Sequence, residues 1–126
     1  MLKDQNIMTF VGTRDADRAR TFYRDTLGLT LVEENPFALV FDCHGIMLRV
    51  TNVPELTPAK FTILGWEVPN ISQSVRDLAA RGVIFARFPG MHQDEDGIWA
   101  SPGGARIAWF HDPDGNTLSL TQFTAG

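Results

Sequence analysis

The chemistry that this sequence could perform depends first on an acidic turn, three histidines and a single cysteine. The turn, residues 112–116 (DPDGN), has oxygen-bearing side chains at alternate positions, as at the start of an EF-hand calcium loop. An EF-hand also needs glycine at its sixth position and glutamate at its twelfth, and these positions hold Thr117 and Phe123. The pattern therefore predicts a tight turn and not a calcium site.

The histidines and the cysteine do not form a recognisable catalytic or metal-binding set. His44, His92 and His111 are dispersed along the chain, in predicted turns or at a strand end. Cys43 has only His44 as an activating neighbour, so we expect an ordinary thiol. The sequence also lacks a Ser-His-Asp or Cys-His arrangement, a phosphate-binding glycine loop and a nucleotide fingerprint.

Composition narrows the class of protein further. The chain has 126 residues, is 44% hydrophobic and carries a net charge of -4, which predicts one soluble domain spanning residues 1–126. One cysteine cannot build a disulfide framework, so we expect a cytoplasmic protein. With 11 Lys+Arg and no basic stripe, nucleic acid is not an expected partner. No secretory signal or apolar stretch of about 20 residues is present, so no membrane association is expected.

Hydrophobic periodicity predicts the order βαβββ twice, in modules 6–53 and 61–123. The first module is predicted to contain strands 7–12, 29–33, 37–41 and 46–51, with a helix that begins at Asp15 or Asp17 and ends at Gly28. The second is predicted to contain strands 61–68, 83–88, 105–111 and 117–123, a helix over 72–81 and an irregular segment 90–104. When the two modules are aligned, Asp15 takes the same position as Asn70 at the start of the helix, and Gly28 the same position as Gly82 at its end. In the last hairpin, the loop length predicts that Trp109 pairs with Ser119.

Two motifs relate these elements to a known family. Residues 15–29 (DADRARTFYRDTLGL) resemble the D-x-D-R-A-x-x-F-Y-x-x-x-L-G-L signature of the vicinal oxygen chelate superfamily, which contains glyoxalases, bleomycin-resistance proteins and extradiol dioxygenases. Residues 109–118 (WFHDPDGNTL) are similar to its F-x-D-P-D-G-N-x-x-E ending. The resemblance covers nearly the whole chain. It implies an α+β fold, in which two βαβββ modules form a curved mixed sheet around a cavity, commonly in a homodimer.

The resemblance also implies a divalent metal ion held by four side chains that point into the cavity. In this sequence the four positions fall on Met8, Arg49, Ile63 and Ser119. A thioether, a guanidinium, an alkyl group and a hydroxyl do not supply the carboxylate, imidazole or thiolate ligands that such ions prefer. Shifting the alignment by one residue does not restore a ligand set. We therefore expect a metal-free member of the family, with no cofactor.

Strand alternation places residues two apart on the same face of a sheet. The candidate ligand-binding residues are therefore Met8, Phe10, Met47, Arg49, Ile63, Glu67, Trp99, Trp109 and Ser119. This lining is apolar and aromatic with two charges, which suits a small organic molecule with an anionic group for Arg49. Alternatively, Arg49 and Glu67 pair with each other. Trp66 is expected in the core, and Trp99 either as a mobile lid or packed within its own loop.

Two classes of function stay open. The favoured one is a binding protein that sequesters a small molecule, as in the bleomycin-resistance branch that the sequence resembles. The alternative is an enzyme: a lyase or isomerase with Glu67 as general base and Arg49 stabilising an enolate-like anion, or a metal-dependent dioxygenase or related enzyme with different ligands. The enzyme hypothesis predicts that Glu67→Gln abolishes turnover. The resemblance does not identify the ligand.

Overall fold

The computed structural model describes residues 1–124 and forms two compact units, Met1–Pro58 and a second unit that begins at Ala59. Each unit contains one four-stranded mixed sheet and one main helix, which confirms the predicted α+β class. Within the described residues, every helix is too short or too polar to cross a bilayer.

The first unit has its strands in the order β1-β4-β3-β2. The elements are β1 Met8–Thr13, α1 Ala16–Arg20, β2 Thr30–Glu34, β3 Ala38–Cys43 and β4 Ile46–Asn52. Of the two predicted candidates, Asp15 caps α1, because its side chain accepts a hydrogen bond from the Arg18 backbone N–H at 3.1 Å. The helix continues as a π-helical segment, Thr21–Thr26, and Gly28 (φ 76°) then ends it.

The core of the first unit lies between the sheet and this helix. Leu48 and Val50 are fully buried, and the Tyr23 ring lies 6.0 Å from the Phe41 ring. The hairpin β3–β4 turns through His44 (φ 51°) and Gly45 (φ 91°), the backbone conformation that a two-residue type I′ turn requires. The predicted hairpin is therefore confirmed.

The second unit has the order β5-β8-β7-β6. Its elements are β5 Leu64–Glu67, α2 Ile71–Ala80, β6 Trp99–Ala100, β7 Arg106–His111 and β8 Thr117–Gln122. Asn70 caps α2 through the Gln73 N–H at 3.1 Å, so it has the same role as Asp15 in the first unit. The predicted pairing of Trp109 with Ser119 is confirmed.

Two predicted strands of the second unit are wrong in whole or in part. The strand predicted from Phe61 begins only at Leu64, and residues 83–88 do not form a strand. Within residues 83–88, the Ala86 N–H donates a hydrogen bond to the Trp109 carbonyl of the sheet at 2.8 Å. The Gln93 side chain takes the place of a neighbouring strand, since its amide donates to the Ala86 carbonyl at 2.9 Å and accepts from the Phe88 N–H at 2.8 Å. Side-chain hydrogen bonds thus replace strand pairing in this segment.

The turn at residues 112–116 is structural, as predicted. The buried Asp112 carboxylate accepts hydrogen bonds from the Asp114 N–H at 3.0 Å and the Asn116 N–H at 2.9 Å. Its other oxygen accepts from the Asn116 side-chain amide at 2.8 Å. The carboxylate therefore closes the β7–β8 hairpin and holds the adjoining Asn116 in the interior.

Candidate functional site

Four of the predicted ligand-binding residues share one face of the first sheet. Met8 pairs with Met47 and Phe10 with Arg49 across the parallel strands β1 and β4. Side chains at paired positions lie on the same face, and Leu48 and Val50 on the other face are fully buried. Met8, Phe10 and Met47 are exposed, so this face presents apolar surface beside a cationic side chain.

The Arg49 side chain is partly buried and has no ion pair or hydrogen bond among residues 1–124. Its paired position on β3 is Val40, which in turn pairs with Glu33 on the edge strand β2. Glu33 lies two strands away and accepts a hydrogen bond from the Asn35 amide at 2.7 Å. The five N–H donors of Arg49 are therefore available to an anion.

A cavity of about 470 Å³ lies at the end of this face nearest the β3–β4 turn. Its lining comprises Gln5, Asn6, Ile7, Met8, Val32, Val40, Phe41, Asp42, Gly45 and Met47. We refer to it as the hairpin cavity. Met8 and Met47 belong to the predicted ligand-binding set, whereas Phe10 and Arg49 lie outside the lining. Sequence reasoning missed Asp42, although its pairing with Met47 follows from the predicted hairpin.

In the second unit, strand pairing places Ser119 beside Gly65 and Trp109, and Glu67 beside Thr121. Thr121 pairs with Ile107, which pairs with Trp99. Glu67, Trp99, Trp109 and Ser119 therefore share one face of the second sheet. Ile63 precedes β5, and its backbone N–H donates to the Thr117 carbonyl at 3.0 Å.

The aromatic residues of this face form a cluster. The Trp99 and Trp109 rings are 6.0 Å apart, and Phe88 meets Trp109 edge-on at 5.5 Å. Trp99 lies in the short strand β6 and not in an irregular loop as predicted. The sequence did not predict that Phe88 belongs to this cluster, because it assigned residues 83–88 to a separate strand. Trp66 lies on the opposite face, as predicted, where it is partly buried and stacks on Phe110 at 6.4 Å.

Glu67 and Ser119 differ in their surroundings. Glu67 is exposed, and its carboxylate has no hydrogen bond or ion pair within residues 59–124. Ser119 is buried beneath Gly65, where an added Cβ would come within 3.0 Å of the Ser119 Oγ. A side chain at residue 65 would therefore crowd the Ser119 hydroxyl.

The donor set does not fit the metal ion that the family resemblance implies. The implied positions hold Met8, Arg49, Ile63 and Ser119, whose side chains are poor ligands for a divalent cation. Across residues 1–124, no group of three histidine, cysteine, aspartate or glutamate side chains is placed to hold a metal ion. The pKa of the Cys43 thiol is raised by burial and by Asp42, which disfavours the thiolate that metals and electrophiles require.

Comparisons with known proteins agree with this architecture. A search of curated proteins found no match. The chain is similar in structure to a glyoxalase/bleomycin resistance protein/dioxygenase from Alicyclobacillus acidocaldarius, with 18% identity, a TM-score of 0.71 and coverage of 97% of this chain and 93% of that one. Lactoylglutathione lyase from Agrobacterium tumefaciens gives 19% identity, a TM-score of 0.71 and coverage of 94% and 93%.

A bleomycin resistance determinant encoded on the transposon Tn5 gives 22% identity, a TM-score of 0.74 and coverage of 96% of this chain and 99% of that one. Identities this low show a shared fold and no more. The sequence profile of the Glyoxalase/Bleomycin resistance protein/Dioxygenase superfamily matches residues 7–120, which is most of the chain. The chain therefore belongs to the Glyoxalase/Bleomycin resistance protein/Dioxygenase superfamily.

Proposed function

We propose that the protein binds a small organic molecule with an apolar or aromatic body and one anionic group, and that it does so without a metal ion. The observation that carries the proposal is Arg49. This guanidinium is partly buried without an ionic partner among residues 1–124, beside the exposed apolar side chains Phe10 and Met47.

Arg49 suits an anion for physical reasons. A partly desolvated cation gains from a carboxylate or phosphate that binds two of its N–H groups at once. The neighbouring apolar side chains exclude water from such a pair and strengthen it. The surface around Arg49 would then bury the body of the ligand while the guanidinium selects its charge.

The second sheet offers a complementary feature for the same class of ligand. The Trp99–Trp109 pair, with Phe88 at its edge, provides flat apolar surface on which a planar molecule can stack. A fold shared with a bleomycin resistance determinant does not by itself assign a function, so the proposal depends on the residues of the two sheets. The proposed ligand-binding set keeps Met8, Phe10, Met47, Arg49, Ile63, Glu67, Trp99, Trp109 and Ser119.

Calorimetric titration with 2-naphthoate and with its neutral analogue 2-naphthamide tests the proposal. We expect Arg49→Ala to weaken naphthoate binding about tenfold, because a charge-assisted hydrogen bond is lost, and to leave naphthamide binding unchanged. Lys60→Ala removes an exposed cation elsewhere and is the matched control. Equal affinity of wild type and Arg49→Ala for naphthoate would remove Arg49 from the site.

The aromatic cluster has its own test with the same two compounds. Trp109→Ala is expected to weaken both naphthoate and naphthamide, because stacking does not depend on the ligand's charge. Trp66→Phe, at a partly buried position on the opposite face, is the control for loss of an indole ring. If Trp109→Ala binds both compounds as tightly as wild type, the cluster is not part of the binding surface.

A further inference from the structure

The hairpin cavity has an unusual concentration of exposed apolar side chains. Ile7 is 71% exposed, Val32 58%, Met8 45% and Met47 40%, and all four line this one cavity. Its volume of about 470 Å³ is within the range of about 300–1,000 Å³ typical of small-molecule sites. Burial of this surface by a ligand would release water from it, at about 25 cal/mol for each Å² covered.

Asp42 is the one ionisable side chain in the lining formed by the described residues 1–124. Its Oδ1 accepts a hydrogen bond from the Gly45 N–H at 3.2 Å, so the turn orients the carboxylate. Its Oδ2 has no partner among the described residues, and Asp42 forms no ion pair with them. Arg49 lies on the same face of the neighbouring strand and leaves this carboxylate unpaired.

We propose that the hairpin cavity is a site for an organic ammonium ion that carries an apolar chain. The ammonium group would donate to the free oxygen of Asp42, and the chain would lie against Met8, Met47 and Val32. The lining also contains Gln5 and Asn6, which are neutral, so the single oriented carboxylate of Asp42 would favour a cation over an alcohol or a carboxylate of the same length. The two proposed sites share Met8 and Met47 but differ in their charged group, because Asp42 lines the cavity and Arg49 does not.

The methionines allow the site to be observed directly. Met8 and Met47 line the hairpin cavity, whereas Met91 lies in the second unit. In protein labelled with ¹³C at the methionine methyl groups, n-octylammonium is expected to shift the Met8 and Met47 signals saturably and to leave Met91 in place. Met8→Leu and Met47→Leu assign the signals. Absence of saturable shifts at both Met8 and Met47 would show that the cavity is not a binding site.

Selection of the charge is tested with n-octanol and octanoate, which have the same chain. We expect each to bind at least about tenfold more weakly than n-octylammonium. Asp42→Asn keeps an acceptor for the Gly45 N–H but removes the charge, so it should reduce ammonium affinity about tenfold and remove its advantage over octanol. Glu55→Gln makes the same change in net charge outside the cavity and should bind as wild type does. The proposal would be overturned if the three compounds bound with equal affinity, or if Asp42→Asn bound n-octylammonium as tightly as wild type.

Discussion

The two units share one arrangement of elements and differ in how their edges are held. In each unit an N-capped helix follows the first strand, and the first and last strands pair in parallel, as β1 with β4 and β5 with β8. In the first unit the edge strand β2 pairs with β3 along its length, apart from one irregularity between Leu31 and Glu33. In the second unit the edge strand β6 pairs with β7 at only two positions, and the preceding residues 83–98 form no strand and bond to the sheet through isolated groups.

The hairpin turns differ in the same way. Both turns contain a glycine with positive φ and an aspartate that accepts from the turn backbone, but Asp42 accepts one hydrogen bond in the first hairpin, whereas the buried Asp112 accepts three in the second. The comparison teaches that side chains make more of the hydrogen bonds that hold the turn and the edge in the second unit than in the first. Single side-chain substitutions should therefore destabilise the second unit more than the first.

The largest effect is expected at the turn of the second hairpin. Asp112→Ala leaves two backbone N–H groups and the buried Asn116 amide without their acceptor, and should lower the free energy of unfolding by about 3 kcal/mol. Urea denaturation gives the value. Asp42→Ala in the first hairpin removes one exposed hydrogen bond and should cost less than about 1 kcal/mol. If the two variants lost similar amounts of unfolding free energy, the two turns would not differ in their dependence on a side chain.

Gln93→Ala should have the next largest effect, because its side chain links Ala86, Phe88 and Gly97. We expect a loss of about 2 kcal/mol and faster hydrogen exchange at the Phe88 N–H. A weaker near-ultraviolet circular dichroism signal would show that the Trp109 surroundings have loosened. Gln73→Ala, which loses one exposed hydrogen bond on α2, is the control. Unchanged exchange at Phe88 would show that Gln93 does not hold this segment.

The helix caps should respond equally, because the units are alike at this point. Asp15→Ala and Asn70→Ala each remove the acceptor of one backbone N–H, and each should cost about 1 kcal/mol of stability. Asp15→Asn and Asn70→Asp keep an acceptor and should restore most of it. A difference of more than about 1 kcal/mol between the two alanine variants would mean that the caps are not equivalent.

The smallest effect is expected for an ion pair on the surface of the first unit. Hydrogen bonds to Glu34 and then to Asp17 raise the pKa of Arg20, whose Nε lies 2.5 Å from Glu34. Glu34 is half exposed, so Glu34→Gln should cost about 0.5 kcal/mol at low salt. At 1 M salt, where the Debye length is about 3 Å, the difference should nearly vanish. A cost that salt does not change would indicate packing and not charge.

What the sequence predicts well is local or follows from strand register. Asp15 and Asn70 cap helices because of their own side chains, and the loop length alone pairs Trp109 with Ser119. The segment 83–98 could not be predicted, because its partner is the Gln93 side chain and periodicity describes only backbone elements. The hairpin cavity was missed for a similar reason. Asp42 is unremarkable in the sequence until the turn orients it beside Met8 and Met47.

The parallel pairing of first and last strands has a consequence for synthesis of the chain. The sheet of the first unit can close once β4 has been made, before β5 exists. The sheet of the second unit must wait for β8, which lies in its interior between β5 and β7. In a nascent chain that stops before Thr117, β5 and β7 both lack the strand that lies between them. Their unpaired edges would then be open to other chains. The interval between synthesis of β5 and synthesis of β8 is therefore the stage at which we expect the chain to be most exposed to aggregation.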